Sequence, residues 1–543
     1  MKKITLIIAV LLSAVMMAQV TNEGEPFSWD FSTDVKVDQI SLLPIDLNTL
    51  MQEDAINDHL QGIPYRVGVP IEAPYNIHNS GTWTTLDNGD KIWRIAINSP
   101  GAVQMSVNFD QFYMPKGAKL YLHNESKSDL LGAYTSVQNQ ESGVLGTWFV
   151  KGDKLWIEYY EPQNVAGLGK LSIENIIHCY RFGDEHQSKQ KLNNSGDCNH
   201  DVDCPIGADW EDYKEINKRT VAFLSMGNGY ICTGGLVNNT ANDGTPYFLT
   251  ANHCYSGSNP ASWSMRFKWI SPNPICAQTT NSSQGPTYMT ISGTTLRAKN
   301  AATDFCLVEL NSNPPSGWDL DLAGWDKTDT TPDFVVGIHH PSGDIMKICR
   351  DDTGVIKKYN AGAQTWEITT AGGGWELGVT EGGSSGSPLF DDLGRVVGQL
   401  FGGQAACNGT NDNGLYDYYG RFGVSWDGSS SSTRLKDWLD PLSLDPDYID
   451  SYSTAIGIAE SFSDKVSIYP NPTEGMLTIS LKSFSGKYLY TITSILGQQV
   501  ISGAITQPNS SINLSHLNEG VYLVEIADSK GANSLIRKII INK

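Results

Sequence analysis

The chain has 543 residues, 40% of them hydrophobic, and a formal net charge of −21 with only 18% charged residues. That length exceeds one ordinary domain, and the apolar content, with 14 Trp, argues against wholesale disorder. The acidic balance argues against nucleic acid or an anionic membrane surface as partner, because phosphates would be repelled.

The first stretch, "MKKITLIIAVLLSAVMMAQ", has a basic start, an apolar run from Ile4 and small residues ending at Ala18. It reads as a signal peptide, residues 1–18, cut after Ala18. The apolar run is too short for a secure span and none follows it, so the sequence predicts an exported protein without a transmembrane segment. Export permits disulfides. The nine cysteines contain no CxxC pair, so the sequence predicts no metal site.

Residues 19–191 alternate apolar and polar positions in "KIWRIAIN", "AVQMSVNF", "AKLYLHN" and "DKLWIEYYEP", which predicts strands between Gly/Asn/Asp turns. The polar run "GDEHQSKQKLNNSGD" closes this part. Residues 192–450 carry many short apolar runs, among them "TVAFLSM", "PYFLTANHC", "DFCLVEL", "DFVVGIHH" and "RVVGQLF". Helical periodicity enters only at "SSTRLKDWLD", residues 431–440, behind serine caps. The pattern predicts an all-β barrel or sandwich domain with a short C-terminal helix. Residues 451–462 read as a connector. Residues 463–543, with "KVSIYP", "MLTISL", "YLYTIT" and "VYLVEI", predict a small β-sandwich.

Three segments of the third part carry chemistry together. "YFLTANHC" offers His253, "TDFCLVEL" offers Asp304, and "TEGGSSGSPLF" offers Ser384, Ser385 and Ser387. Singly, each has a plain reading: a His beside a Cys, a turn Asp, a Gly/Ser loop. Together, in the order His, Asp, Ser, they supply a nucleophile, its base and the carboxylate that orients the base.

These motifs resemble those of chymotrypsin-like serine endopeptidases. The stretch from Cys198 to about Asp450 is similar, more narrowly, to the bacterial lysyl endopeptidases, through "LVNNTAND", "LAGWDKTD", "IHHPSG", "GVTEGGSSGSP" and "GQLFGG". The resemblance implies a double β-barrel protease domain preceded by a β-rich propeptide. It implies a secreted enzyme that cuts protein substrates after Lys, or Arg, without a cofactor. In the family pattern Gly-x-Ser-Gly-x-Pro only Ser385 fits, with Gly383, Gly386 and Pro388 in place. The N–H groups of Gly383 and Ser385 would then form the oxyanion hole. Ser384 stands where most animal members have an Asp that pairs with a freed N-terminus.

Trypsin-like proteins carry a pocket Asp six residues before the nucleophile, where this chain has Val379. In the lysyl endopeptidases that carboxylate lies two residues before Tyr-Gly-Arg, which here is Asp417; the plainer reading is a turn Asp, for which Asp412 is the better candidate. Phe401, Gly402 and Gly403 would line the pocket; the family has His where Phe401 stands, which leaves the choice between Lys and Arg open. The resemblance also implies the disulfides Cys232–Cys254, Cys204–Cys276 and Cys198–Cys407, with Cys306 and Cys349 either paired or left as buried thiols. His339 and His340 face opposite ways on a strand and read as structural. Glu381 has no assigned role.

The last module, with "YPNPTEGMLTI", "LSHLNEGVYLVEI" and "RKIIINK", resembles the C-terminal sorting domain of the type IX secretion system, which would be its partner. A generic carbohydrate-binding sandwich is the plainer alternative. Maturation is expected at Lys189 or Lys191. The rival to an enzyme is an inactive homologue serving as a surface adhesin; the intact His–Asp–Ser set speaks against it.

Overall fold

The computed structural model describes residues 24–30, 35–58, 60, 62–181, 195–255, 257–283, 285, 289–369, 371–454, 466–481, 488–494, 498–507, 509–528 and 534–543. The signal peptide and both expected maturation sites, Lys189 and Lys191, lie outside the described residues. The chain divides into two compact units, Met1–Thr454 and Ala455–Lys543.

The larger unit begins with two packed antiparallel-rich sheets. One is built on Lys91–Asn98, Lys154–Glu161 and Lys119–Asn124; the other on Gln104–Tyr113 and Lys170–Cys179. Their facing side chains, including Trp93, Ile95, Val107, Phe109, Leu122, Ile157 and Ile176, are buried with Phe223, Ile231 and Trp269 of the following part in one core. The propeptide-like region and the protease-like region therefore share apolar packing.

Two β-barrels follow, the chymotrypsin-like arrangement. The first barrel is an eight-stranded sheet through Val221–Ser225, Tyr230–Val237, Tyr247–Ala251 and Phe305–Leu310. The second is a ten-stranded sheet through Lys347–Asp351, Val335–His339, Pro388–Phe390, Val396–Gly403 and Asp417–Arg421. The smaller unit, described by itself, has sheets of three and four strands around Leu477, Ile479, Ile492, Val524 and Ile539.

The structure departs from the sequence reading in several places, the short helices Asn252–Tyr255 and Phe422–Trp426 among them. Leu47–Asn57 is an α-helix capped by Asp46, whose side chain accepts from Thr49 N. Its apolar residues are not gathered on a buried side: Met51 and Ile56 are exposed, and only Asp54 is buried. Glu211–Asn217 is a second unread helix, with Lys214 and Asn217 inward. The expected helix over 431–440 shrinks to Lys436–Leu439, because the preceding serines and Thr433 bond one another in a turn instead. The connector begins later than 451, since Tyr452–Ser453 pairs with Asp321–Leu322.

Candidate active site

His253 sits at the end of strand Tyr247–Ala251, and Asp304 immediately precedes its neighbour Phe305–Leu310; the two strands pair antiparallel, with Ala251 opposite Phe305. That pairing alone brings the two side chains together. His253 Nδ1 lies 2.7 Å from Asp304 Oδ2, and His253 N donates to Asp304 Oδ1 at 2.9 Å. Both carboxylate oxygens are thus held by His253, and Asn252 N donates to the Asp304 backbone carbonyl at 2.7 Å. Asp304 adopts a positive φ of 54°, a conformation Asp tolerates better than most residues. Both side chains are buried. From the second barrel Gln399 Nε2 donates to Thr303 O at 2.7 Å, bracing the turn that holds Asp304.

The Gly/Ser stretch turns sharply between the barrels. Gly383 has φ +94°, which a side chain would strain. Ser384 and Ser387 are fully buried, whereas Ser385 lines an open cavity of about 350 Å³. Ser384 Oγ is 2.8 Å from His339 Nδ1. Burial pushes that imidazole down to about 3, so it is neutral at pH 7. Ser385 is tied to the first barrel by Thr233 N, which donates to its carbonyl at 2.8 Å. Thr233 Oγ1 also donates to Gly383 O at 3.0 Å. These bonds hold the carbonyls of residues 383 and 385 back, toward the first barrel; among the described residues neither Gly383 N nor Ser385 N donates to a backbone carbonyl.

The same cavity is lined by Thr380, Glu381, Phe401, Gly402, Gly403 and Asp417. Phe401, which lines this cavity with Ser385, stacks on His253, ring centroids 5.7 Å apart. Asp417 is buried, and its Oδ2 accepts from Trp375 Nε1 and Thr380 Oγ1, each at 2.7 Å. Burial raises its carboxyl to about 6, and these two donors pull the other way. A side chain on Gly403 would collide with the Asp417 carboxylate, so glycine is required there. Asp412 instead accepts from Gly414 N at 3.0 Å, closing a turn.

Three disulfides are present, Cys198–Cys407, Cys204–Cys276 and Cys232–Cys254. Cys306 and Cys349 lie in different barrels as buried free thiols, which settles their alternative. Two His/Cys clusters, His200 with Cys204 and Cys276 and His253 with Cys232 and Cys254, look metal-like by spacing. In each the two cysteines are bonded to one another and offer no thiolate.

Sequence reasoning missed several neighbours of the site. Trp375 and Thr380 hold Asp417; Trp375 lies outside any motif, and Thr380 opens "TEGGSSGSPLF" without a role assigned to it there. Glu381 accepts from Gly196 N at 3.1 Å and from Ser342 Oγ at 3.3 Å, and burial raises its carboxyl to about 7. Asp58, Leu60, Gly62 and Ile63 of the N-terminal region also line the cavity. Nothing in their local sequence marks them; only the fold brings them there.

The family model described as the lysyl endopeptidase C-terminal domain matches residues 192–420, and that of the secretion system C-terminal sorting domain matches residues 467–542. A lysyl endopeptidase of Pseudomonas aeruginosa is 27% identical over 392 residues, covering 66% of this chain and 79% of that protein. Among solved structures, a serine endoprotease from Yersinia pestis covers 62% of this chain and 99% of its own at 13% identity, with a TM-score of 0.27. PorZ, a surface component of the type IX secretion system of Porphyromonas gingivalis, covers 59% of this chain and 39% of its own at 13% identity, with a TM-score of 0.14. The chain is similar to the bacterial lysyl endopeptidases, carries a serine endopeptidase domain, and ends in a type IX sorting domain. It is a secreted or cell-surface protein. Among the described residues, no helix is long and apolar enough to cross a membrane.

Proposed function

We propose that this serine endopeptidase hydrolyses peptide bonds after Lys, with Arg as the second choice, and that residues 19–191 are its propeptide. Ser385 Oγ attacks the scissile carbonyl. His253 takes the hydroxyl proton and then delivers it to the leaving amine. Asp304 holds the proton on His253 Nδ1, leaving Nε2 as the base, and stabilises the imidazolium. The N–H groups of Gly383 and Ser385 bind the oxyanion. These steps use only side chains and backbone of this chain.

The observation that carries the specificity is Asp417. Its carboxylate lines the cavity beside Ser385, and the side chains that bond it, Trp375 and Thr380, are neutral donors. A buried carboxylate held by neutral groups suits a cation brought by the substrate. A Lys ammonium entering there loses water and gains that partner. The experiment is a cleavage-site profile of the matured enzyme on a denatured protein mixture. Cuts confined to Lys, or to Lys and Arg, support the reading; cuts after apolar residues overturn it. Labelling of Ser385 by a serine-directed fluorophosphonate separates an enzyme from an inactive adhesin.

A further inference from the structure

The N-terminal region crosses the cleft. Asp58, Leu60, Gly62 and Ile63 line the cavity that also exposes Ser385 and Asp417. A side-chain carbon on Gly62 would lie 3.2 Å from the Phe401 ring. Immediately downstream, Tyr65 pairs with Ile231 and Arg66 with Tyr230 in an antiparallel ladder. Val67 N and Gly68 N then donate to Gly229 O at 2.7 and 3.0 Å. Ile231 stands two residues before Thr233, whose N–H holds the Ser385 carbonyl. The segment thus comes in over the specificity pocket and leaves along the strand beside the nucleophile. Ile63 lines the cavity and Tyr65 pairs with Ile231, with only Pro64 between them.

We infer that residues 62–66, with Asp58 and Leu60 ahead of them, occupy the cleft as a bound peptide that cannot be turned over, with Ile63 at the pocket mouth and the Ile63–Pro64 bond over Ser385. The inference rests on the proposed roles of Ser385 and Asp417. Three features of the segment block reaction. Ile63 stays 38% exposed, a cavity of about 350 Å³ remains, and among the described residues no cation pairs with Asp417. Pro64 puts a ring carbon where the leaving nitrogen would carry hydrogen, obstructing the approach of His253. Between Lys36 and Lys91 the only Lys or Arg is Arg66. Its guanidinium is locked away from the pocket, 2.7 Å from Asp54 Oδ1, 2.9 Å from Glu53 Oε2 and 2.9 Å from Leu50 O.

Arg181 clamps the segment from behind. Its Nε donates to Arg66 O at 2.7 Å, its two terminal nitrogens reach Asp58 at 2.5 and 2.7 Å, and its guanidinium covers the Tyr65 ring at 4.3 Å. Arg181 precedes Lys189 and Lys191, so a cut at either leaves clamp and segment in place. A nicked precursor would stay closed until its N-terminal part is itself degraded.

The test uses the full chain with Ile63→Lys alone and with Ile63→Lys and Pro64→Ala together. The double variant should gain a new cut between residues 63 and 64, read by N-terminal sequencing, while Ile63→Lys alone stays intact there. In parallel, synthetic peptides spanning residues 57–67 are added to matured enzyme. The natural peptide should inhibit competitively, the Ile63→Lys peptide at least tenfold more tightly, and the doubly changed peptide should be cut at 63–64. Failure of both the chain and the doubly changed peptide to be cut at 63–64, by enzyme that cleaves other Lys peptides, overturns the inference. Enzyme that cleaves no Lys or Arg peptide at all overturns the proposed function instead.

Discussion

The two barrels build their halves of the cleft in different ways. In the first, His253 and Asp304 meet because adjacent antiparallel strands end side by side, and the Cys232–Cys254 bridge closes the base's loop over a separation of only 22 residues. In the second, Ser385 and Asp417 face one cavity only after Thr380, Trp375, His339 and Gly403 have come together from separate segments. One half is a local geometry with few partners. The other is a distributed network of buried polar groups, in which each unmet bond would cost about 1–3 kcal/mol. Damage to the first should change chemistry; damage to the second should change which substrate is accepted.

The largest effect should come where the halves meet. Ser385→Ala should lower kcat by roughly six orders of magnitude, as triad serines do. Ser384→Ala and Ser387→Ala should retain substantial activity, since neither side chain lines the cavity. Loss of His339's partner in Ser384→Ala should appear in Tm instead. Rates on a Lys peptide and thermal melts of the three variants check this; normal turnover by Ser385→Ala would remove it as nucleophile.

Within the first half, Asp304→Asn should lower kcat by about 10⁴ through the wrong imidazole tautomer, with the Lys-over-Leu preference unchanged. A changed preference would mean that the division between the barrels does not hold.

What was legible in the sequence follows the same division. "LTANHC" and "TDFCLVEL" could be read because chemistry and strand pattern coincide within a few residues. The all-β architecture was visible for the same reason, since alternation is local. Asp417 was found only through the family's spacing to Tyr-Gly-Arg; its hydrogen-bond donors, Thr380 and Trp375, lie 37 and 42 residues away, and nothing in the sequence ties either of them to it. Glu381 had no role in the sequence reading, because its partner Gly196 is 185 residues earlier. The helix Leu47–Asn57 was invisible because it buries almost nothing apolar and so carries no period.

In the second half, Asp417→Asn should lower kcat/KM on Lys substrates while fluorophosphonate labelling of Ser385 persists. Leaving a desolvated substrate cation unpaired costs about 2–5 kcal/mol, or roughly 30- to several-thousand-fold. Matched peptides with Lys or Leu before the scissile bond measure it. An unchanged ratio would rule out Asp417 as the specificity residue.

The finest separation of the two halves uses pH. Burial raises the Asp417 carboxyl to about 6, above the ordinary carboxylate range. In free enzyme it is therefore charged above about pH 6 and neutral below. Any change in the base or the nucleophile acts on Lys and Leu cleavage alike and cancels in their ratio. The ratio of kcat/KM values should therefore stay flat above pH 7 and fall as pH drops through about 6. Once a Lys substrate is bound, its ammonium favours the carboxylate, so the same fall in kcat should shift to lower pH. Asp417→Asn should flatten the ratio across the whole range. A wild-type ratio that does not move between pH 7 and pH 5 would rule out Asp417, and equally Glu381, which also lines the cavity and is raised to about 7, as the charge read by the substrate.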